Sequence, residues 1–269
     1  MKKEIEYSAE RIKYLKGQKK NRFSIVFWRV TLLCILIGVW ELFANLGVID
    51  PFIASSPSRV VKTVVSLFKN DNFAYHIGVT LYETLMGFIL AVVIGYSVAL
   101  LLWWSERTRK VLEPYIVVLN SLPKIALGPI IIVWFGSSEK AIIFMAFIIG
   151  IIVAIMTMLN GFLATDKNKI LLLRSFGATK WQILIKLVVP GSLSTLISML
   201  KISVGMAWIG SIMGEYLVSR AGLGYLIVYG GQVFKLDLVM ASTVVLCVLA
   251  TLMYIAVATL EKAIIKYKT

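Results

Sequence analysis

The chain has 269 residues, of which 59% are hydrophobic, and a formal net charge of +14 at neutral pH. A soluble domain of this length is closer to half apolar, and apolar runs of about 20 residues recur here, so the composition excludes a plain soluble enzyme and fits a polytopic membrane protein. Nor does the charge mark a nucleic-acid binder: the basic residues flank apolar runs and gather in alternate loops, as membrane topology requires.

Residues 1–26 are basic and polar, with periodic apolar positions at Ile5, Ile12 and Leu15. They are expected to form a cytosolic tail, partly helical, ahead of a membrane domain over residues 27–269. A cleavable signal peptide is not expected, because the basic segment is long and no small-residue cleavage site follows the first apolar run. Six spans are predicted: Phe27–Leu46, Val79–Trp104, Tyr115–Phe135 with Pro123 and Pro129 inside it, Ala141–Leu163, Val188–Met213 and Leu238–Leu260. Between the first two, Ser56 is placed to cap a helix that begins at Pro57. Val60, Val61, Val64, Val65 and Phe68 give that helix an apolar face, suited to lying on the membrane surface.

Six spans put both termini on one side. Lys and Arg crowd the N-terminal segment, the 105–110 and 164–187 loops and the C-terminus. The opposite side carries only Arg59, Lys62, Lys69, Lys140, Arg220 and Lys235. The bias predicts that both termini and the 164–187 loop face the cytosol.

That loop, extended to residue 190, reads as two helices around a turn. Asp166–Phe176 is predicted helical, Gly177 ends it, and Thr179 with Gln182 forms a capping box that starts a second helix. Pro190 marks where this second helix meets the fifth span. Ile170, Leu171, Leu172, Leu173 and Phe176 make the first helix too apolar to stand in water alone. Its cover is either lipid and the neighbouring loops or a groove on a separate cytosolic protein.

The spacing Gly177-Ala178, eight residues, then Leu187-x-Val189-Pro190 resembles the EAA loop of bacterial ATP-binding-cassette (ABC) importer permeases. The family's Glu-Ala-Ala is replaced here by Leu171-Leu172-Leu173, which removes the family's glutamate but keeps the helix-turn-helix shape. Four further segments, in order, resemble the permeases for nitrate, sulfonates and taurine: "WELFANLGVIDPFIASSPSRV" from Trp40, "LNSLPKIALGPIIIVWFG" from Leu119, "GMAWIGSIMGEYL" from Gly205 and "GLGYLI" from Gly222. The resemblance implies an all-α, six-helix transmembrane domain of the type I importer class, in the bacterial inner membrane. It implies a second permease copy, most simply as a homodimer, cytosolic ABC ATPase subunits and an extracytoplasmic solute-binding protein. It assigns Leu171, Leu172, Leu173, Arg174, Gly177, Ala178, Thr179 and Pro190 to coupling with the ATPase. The solute would be small, for example an anion such as a sulfonate, taurine or nitrate.

No G-x-x-x-x-G-K-[ST] motif occurs, so ATP is expected on the partner ATPase and no cofactor on this chain. Charges within spans usually face a cavity or a protein partner. Lys124, beside Pro123 and near Pro129, either lines a pathway or snorkels to the surface. Lys201, midway along the fifth span, is expected in a cavity or a salt bridge. Glu41 and Glu83 lie near outer span ends and read as interfacial. Glu215 follows Gly205, Gly210 and Gly214, a run suited to close packing and to an interface with a second copy. Pro123, Lys124, Pro129, Lys201 and Glu215 are therefore the candidate pathway residues.

Cys34 and Cys247 read as small buried apolar residues, and the single His76 rules out a histidine metal cluster. Trp103, Trp104, Trp134 and Trp181 sit near span boundaries, as an aromatic belt does. An ion-driven secondary transporter is the alternative. It would call for inverted repeats and midplane acidic residues, and neither is evident.

Overall fold

The computed structural model describes residues 9–48, 55–70, 72–218 and 220–265, and all regular structure among them is helical. The chain divides into two compact units, residues 1–63 and 64–269.

In the first unit, helix α1 (Ala9–Asn45) runs unbroken through the predicted boundary between tail and span. Its membrane-length part is Phe23–Asn45, and most of the apolar side chains there are exposed, with Ala44 buried. The helix ends at Gly47, whose φ of +70° is the left-handed cap geometry. The Val48 N–H closes the motif on the Phe43 carbonyl at 3.1 Å. Helix α2 (Pro57–Asn70) begins as expected, with Ser56 Oγ accepting from Arg59 N at 3.4 Å. Glu41 is more than interfacial. It accepts from Ser58 N at 3.0 Å and Ser58 Oγ at 2.8 Å, a carboxylate set at the positive end of α2. Ile5 and residues 49–54 of the "WELFANLGVIDPFIASSPSRV" segment lie outside the described residues.

In the second unit the chain runs α3 (Phe73–Trp104), α4 (Glu106–Ser121), a tight turn Lys124–Leu127, α5 (Gly128–Phe135), α6 (Glu139–Leu163), α7 (Lys167–Ser175) and α8 (Lys180–Ile183). A wide turn, Leu184–Val188, and a single turn, Val189–Gly191, lead into α9 (Leu193–Val218). Then come α10 (Leu223–Gln232) and α11 (Leu236–Ile265). Among the described residues five helices, counting the span within α1, are long and apolar enough to cross a bilayer. The predicted third span is instead the pair α4 and α5, bent by 86° at Pro123, which makes six if the pair counts as one span. The predicted fifth span moves toward the C-terminus: Pro190 and Ser192 precede the long helix, and α9 runs past Met213 to Val218 with Glu215 inside it, its Oε2 accepting from the start of α10.

Helix α6 sits at the centre. It packs on α3 through two matching rows of small residues, Gly87, Ala91 and Gly95 against Ala146, Gly150 and Ala154. A Cβ on Gly95 would lie 2.7 Å from the Ala154 Cβ, and one on Gly150 would lie 3.1 Å from that of Ala91. On its other side α6 meets α9. There a Cβ on Gly210 would come within 2.9 Å of the Ala146 backbone nitrogen, and one on Gly214 within 3.0 Å of the Ile142 Cα. Small residues four apart on each helix are what let backbones approach where lipid offers no hydrophobic drive to association. This packing is within one chain: Gly210 and Gly214 lie against α6, whereas a Cβ on Gly205 would meet nothing within 4 Å. Cys34 and Cys247, expected to be buried, are exposed on the outward sides of α1 and α11.

The α6 contact yields a paired prediction. Gly210→Ala, which drives a methyl into the Ala146 backbone, is expected to cost about 1–3 kcal/mol. Gly205→Ala, with nothing within 4 Å of the new methyl, should be near neutral. Thermal unfolding of the detergent-purified variants compares them, and equal melting temperatures would remove the close-packing account.

Candidate functional site

The 164–190 loop folds as its local sequence dictates. Asp166 caps α7, its Oδ1 accepting from Asn168 N at 2.8 Å. Gly177 takes φ +75° and closes the helix, with its N–H on Arg174 O at 2.9 Å and the Ala178 N–H on Leu173 O at 3.0 Å. Only a residue without Cβ takes this turn at no cost. Thr179 and Gln182 form the expected capping box: Thr179 Oγ1 accepts from Gln182 N, and Gln182 Oε1 accepts from Thr179 N at 2.9 Å.

One side of α7 is anchored. Ile170, Leu173 and Ala178 pack on a core of Leu102, Met158, Phe162, Ile183 and Leu184. The other side is bare: Leu171 is 63% exposed, Phe176 78%, and Leu172 and Trp181 more than half. The helix is thus held rigidly from behind while it offers an apolar ridge. Lys180 ties the loop to the end of α3, donating to the Trp104 carbonyl and lying 5.3 Å from the Trp104 ring centre. Trp104 in turn meets Trp181 edge to face at 6.1 Å. Beside α7 a cleft of about 590 Å³ is lined by Trp103, Arg109, Lys167, Arg174 and Lys180, so this end of the molecule is strongly cationic. Pro190 is exposed in the single turn that precedes α9.

The candidate pathway residues do not form one cluster. Pro123, Lys124 and Pro129 all lie at the bend between α4 and α5. Helix α4 stops at Ser121, so the Asn120 carbonyl loses its helical partner. Lys124 Nζ supplies the replacement at 3.0 Å. The side chain closes its own helix end, a third role beside lining a pathway or snorkelling. Lys201 takes the expected salt bridge, 2.5 Å from Glu261 on α11. Nothing in the sequence pattern marks Glu261 as that partner.

Glu215 and Glu83 overturn their sequence readings. Glu83 is not interfacial but 1% exposed, and Glu215 is 2% exposed within the chain rather than at a surface for a second copy. Their carboxyls face each other across α3 and α9. The same corner captures the start of α10. Helix termini leave N–H groups without helical partners, and here three are met by side chains from other helices. Gly222 N donates to His76 Nδ1 at 3.0 Å, Leu223 N to Thr80 Oγ1 at 2.7 Å and Gly224 N to Glu215 Oε2 at 2.5 Å. The glycines of Gly222-Leu223-Gly224 follow from this. A Cβ on Gly222 would lie 2.6 Å from Glu215 Oε1, and one on Gly224 would lie 2.7 Å from Oε2. Gly222 also holds φ +109°. The motif was visible in the sequence, but its partners His76, Thr80 and Glu215 were not.

With this geometry in hand, the comparisons with known proteins agree with one another. The family model for binding-protein-dependent transport system inner membrane components matches residues 91–266. The chain is 29% identical to the formylaminopyrimidine transport permease protein ThiX of Halalkalibacterium halodurans, over 87% of this chain and 92% of that one. It is 25% identical to the taurine transport system permease protein TauC of Escherichia coli, over 86% of each. Among solved structures, a chain of a bacterial ABC transporter involved in the import of alginate superposes with a TM-score of 0.65 at 15% identity, over 94% of this chain and 96% of that one.

The capture of α10 is open to test. Glu215→Leu leaves the Gly224 N–H buried without a partner and is expected to cost about 1–3 kcal/mol. Glu215→Gln keeps an acceptor and should lose less. Thermal unfolding of the two purified variants decides, and equal losses would show that the hydrogen bond carries nothing.

Proposed function

This chain belongs to the family of binding-protein-dependent transport system inner membrane components, and from that premise we propose how its parts serve transport. It is the multi-pass permease subunit of an ABC importer, and the ATPase is a separate chain. Two copies, we propose, face each other to enclose a path for a small solute, because one bundle of this size is small for a gated pore. Both termini and the 164–190 loop lie in the cytosol, a reading supported by the weight of Lys and Arg on that side and by the cationic cleft beside α7. ATP binds to the cytosolic partner, and this chain needs no cofactor of its own.

The observation that carries the reading is the ridge of Leu171, Leu172 and Phe176 on α7. It is apolar, exposed and held from behind by the core. An apolar helix face docks in a groove, and the family supplies the partner, an ABC ATPase. Leu173 belongs to the anchor rather than the ridge, and Arg174 stands at the edge of the cationic cleft. Gly177, Ala178 and Thr179 fix the angle between α7 and α8. Pro190 begins the joint with α9, so that a push on α7 is passed to a long span. Closure of the ATPases would tilt the spans as rigid bodies between two arrangements. The relatives' names point to small solutes, taurine and formylaminopyrimidine among them, and a small organic solute delivered by a binding protein is the reading we adopt here. Pro123, Lys124 and Pro129, where the backbone leaves the helix, are the stretch we assign to the path wall. Lys201 is committed to Glu261, and Glu215 to the start of α10, so both act by holding helices rather than by meeting solute.

Affinity purification of the tagged chain from its native membrane, gently solubilised, tests the docking. A P-loop ATPase should co-purify with the native protein. Phe176→Glu, which alters an exposed side chain and leaves the core alone, should reduce recovery of the ATPase at least about tenfold. Gly177→Pro, which cannot adopt φ +75° and lacks the N–H bonded to Arg174, should abolish it. Undiminished recovery with both variants would refute α7 as the docking element.

A further inference from the structure

The cleft beside α7 gathers cations from separate elements: Arg109 on α4, Lys167 and Arg174 on α7, and Lys180 at the start of α8. Arg109 is half-buried, and among the described residues none of the four forms an ion pair. Glu106 is the one carboxylate among the described residues of the wall, and Lys110 already answers it at 2.9 Å. Lys180 is fixed in place by the Trp104 carbonyl and by the rings of Trp103 and Trp104. Its ammonium keeps two N–H groups for a further acceptor. Four positive groups thus converge on a space of about 590 Å³ without a carboxylate of the chain to balance them. An anion in that space would relieve their mutual repulsion.

Depth says which kind of anion. Trp103 is next to the last residue of the span in α3, and Leu163 is the last residue of the span in α6; both line the cleft. The cleft therefore opens where two spans leave the bilayer, at the level of lipid headgroups. Its size suits a glycerophosphate headgroup and far exceeds one small inorganic ion. Leu163 and Ile170 add apolar wall, and Leu101, in the last turn of α3, is 68% exposed beside it. Arginine grips phosphate oxygens in pairs and lysine meets them as a point charge. Basic pockets between membrane helices take anionic headgroups in this way. We propose that this cleft binds the phosphate of an anionic phospholipid, held by Arg109, Lys167, Arg174 and Lys180, with its acyl chains along Leu101 and Leu163. A soluble phosphate ester offers the same charge but no chains for that apolar surface. Leu172 and Phe176 of the α7 ridge do not line the cleft, so its occupancy is measured on this chain without an ATPase.

The test is thermal unfolding of the purified full-length protein in detergent micelles titrated with dioleoylphosphatidylglycerol, against dioleoylphosphatidylcholine. Phosphatidylglycerol should give a saturable rise in melting temperature of about 4 °C at tenfold excess over its dissociation constant. Phosphatidylcholine, whose net charge is zero, should give none, and neither should glycerol 3-phosphate at equal concentration. Arg109→Gln should weaken binding of phosphatidylglycerol about tenfold. Lys167→Gln, at an exposed position that leaves the core intact, should weaken it in the same direction. Arg107→Gln, in the same basic loop but off the cleft wall, should change nothing, which separates a built site from diffuse attraction between a basic face and anionic lipid. If Arg109→Gln fails to fold, Lys167→Gln against Arg107→Gln decides. No saturable rise, an equal rise with phosphatidylcholine, or equal losses in the cleft and control variants would each overturn the proposal. A matching rise with glycerol 3-phosphate would overturn the lipid as the source of the phosphate.

Discussion

Away from water a backbone N–H has only the protein to bond to, and this constraint shapes the corner where α10 begins. A helix that starts inside a bundle exposes N–H groups with no helical partner. His76 and Thr80 on α3 and Glu215 on α9 reach across to accept them. The contact fixes three elements at once. It sets the register of α3 against α9, because His76 and Thr80 are one turn apart and both must reach consecutive residues of the Gly222-Leu223-Gly224 turn. It demands glycine at Gly222 and Gly224, where any side chain would strike the Glu215 carboxylate. It also lets α9 carry a carboxylate into its last turn, because the positive end of α10 compensates part of the charge.

Below that corner, close packing takes over. The rows Gly87, Ala91, Gly95 and Ala146, Gly150, Ala154 bring α3 and α6 together, and Gly210 and Gly214 bring α9 onto the other side of α6. Thr84 and Ser211, 2.6 Å apart and buried, join α3 to α9 with a hydrogen bond between hydroxyls. Three helices clamped this tightly behave as one body. The element that departs from the pattern is the bent pair α4 and α5. Pro123 has no N–H to offer the Leu119 carbonyl, and Lys124 just beyond it meets the Asn120 carbonyl with its side chain.

What the sequence revealed follows the range of each interaction. The α7 loop was legible in detail because its cap, glycine turn and capping box are all made by residues within a few positions of one another. The spans were legible as apolar runs, though their ends were not. The sequence reading ends the fifth span at Met213, whereas α9 runs on through Glu215 to Val218. Glu83 and Glu215 are remote in the chain, so their meeting could not be read from spacing, and each was assigned to a boundary. Lys201 was expected to find a partner, but nothing local named Glu261. The glycines before Glu215 were recognised as a packing signal, yet a stripe of small residues does not say whether its partner is another helix of the chain or another molecule. Cys34 and Cys247 failed for a related reason: in a bilayer an apolar position is as often turned to lipid as to the core.

The two ends of the clamped body are joined by α3. At about 1.5 Å per residue its 32 residues span roughly 48 Å. It begins at the corner where His76 and Thr80 hold the start of α10 and Glu83 meets Glu215, and ends at Trp103 and Trp104, against which Lys180 and Trp181 seat the α7 loop. A helix so tightly bound to α6 and α9 along its length cannot bend at one end without moving the other. A displacement of α7 would therefore turn the three-helix body as a whole, and the strain would fall where the regular α-helix is already broken, at the bend near Pro123 and at the wide helical turn Leu184–Val188 before α9. The rigid part of the molecule is thus its small-residue core, and the joints are the bend at Pro123, where α-helical bonding stops, and the turn Leu184–Val188, where it widens.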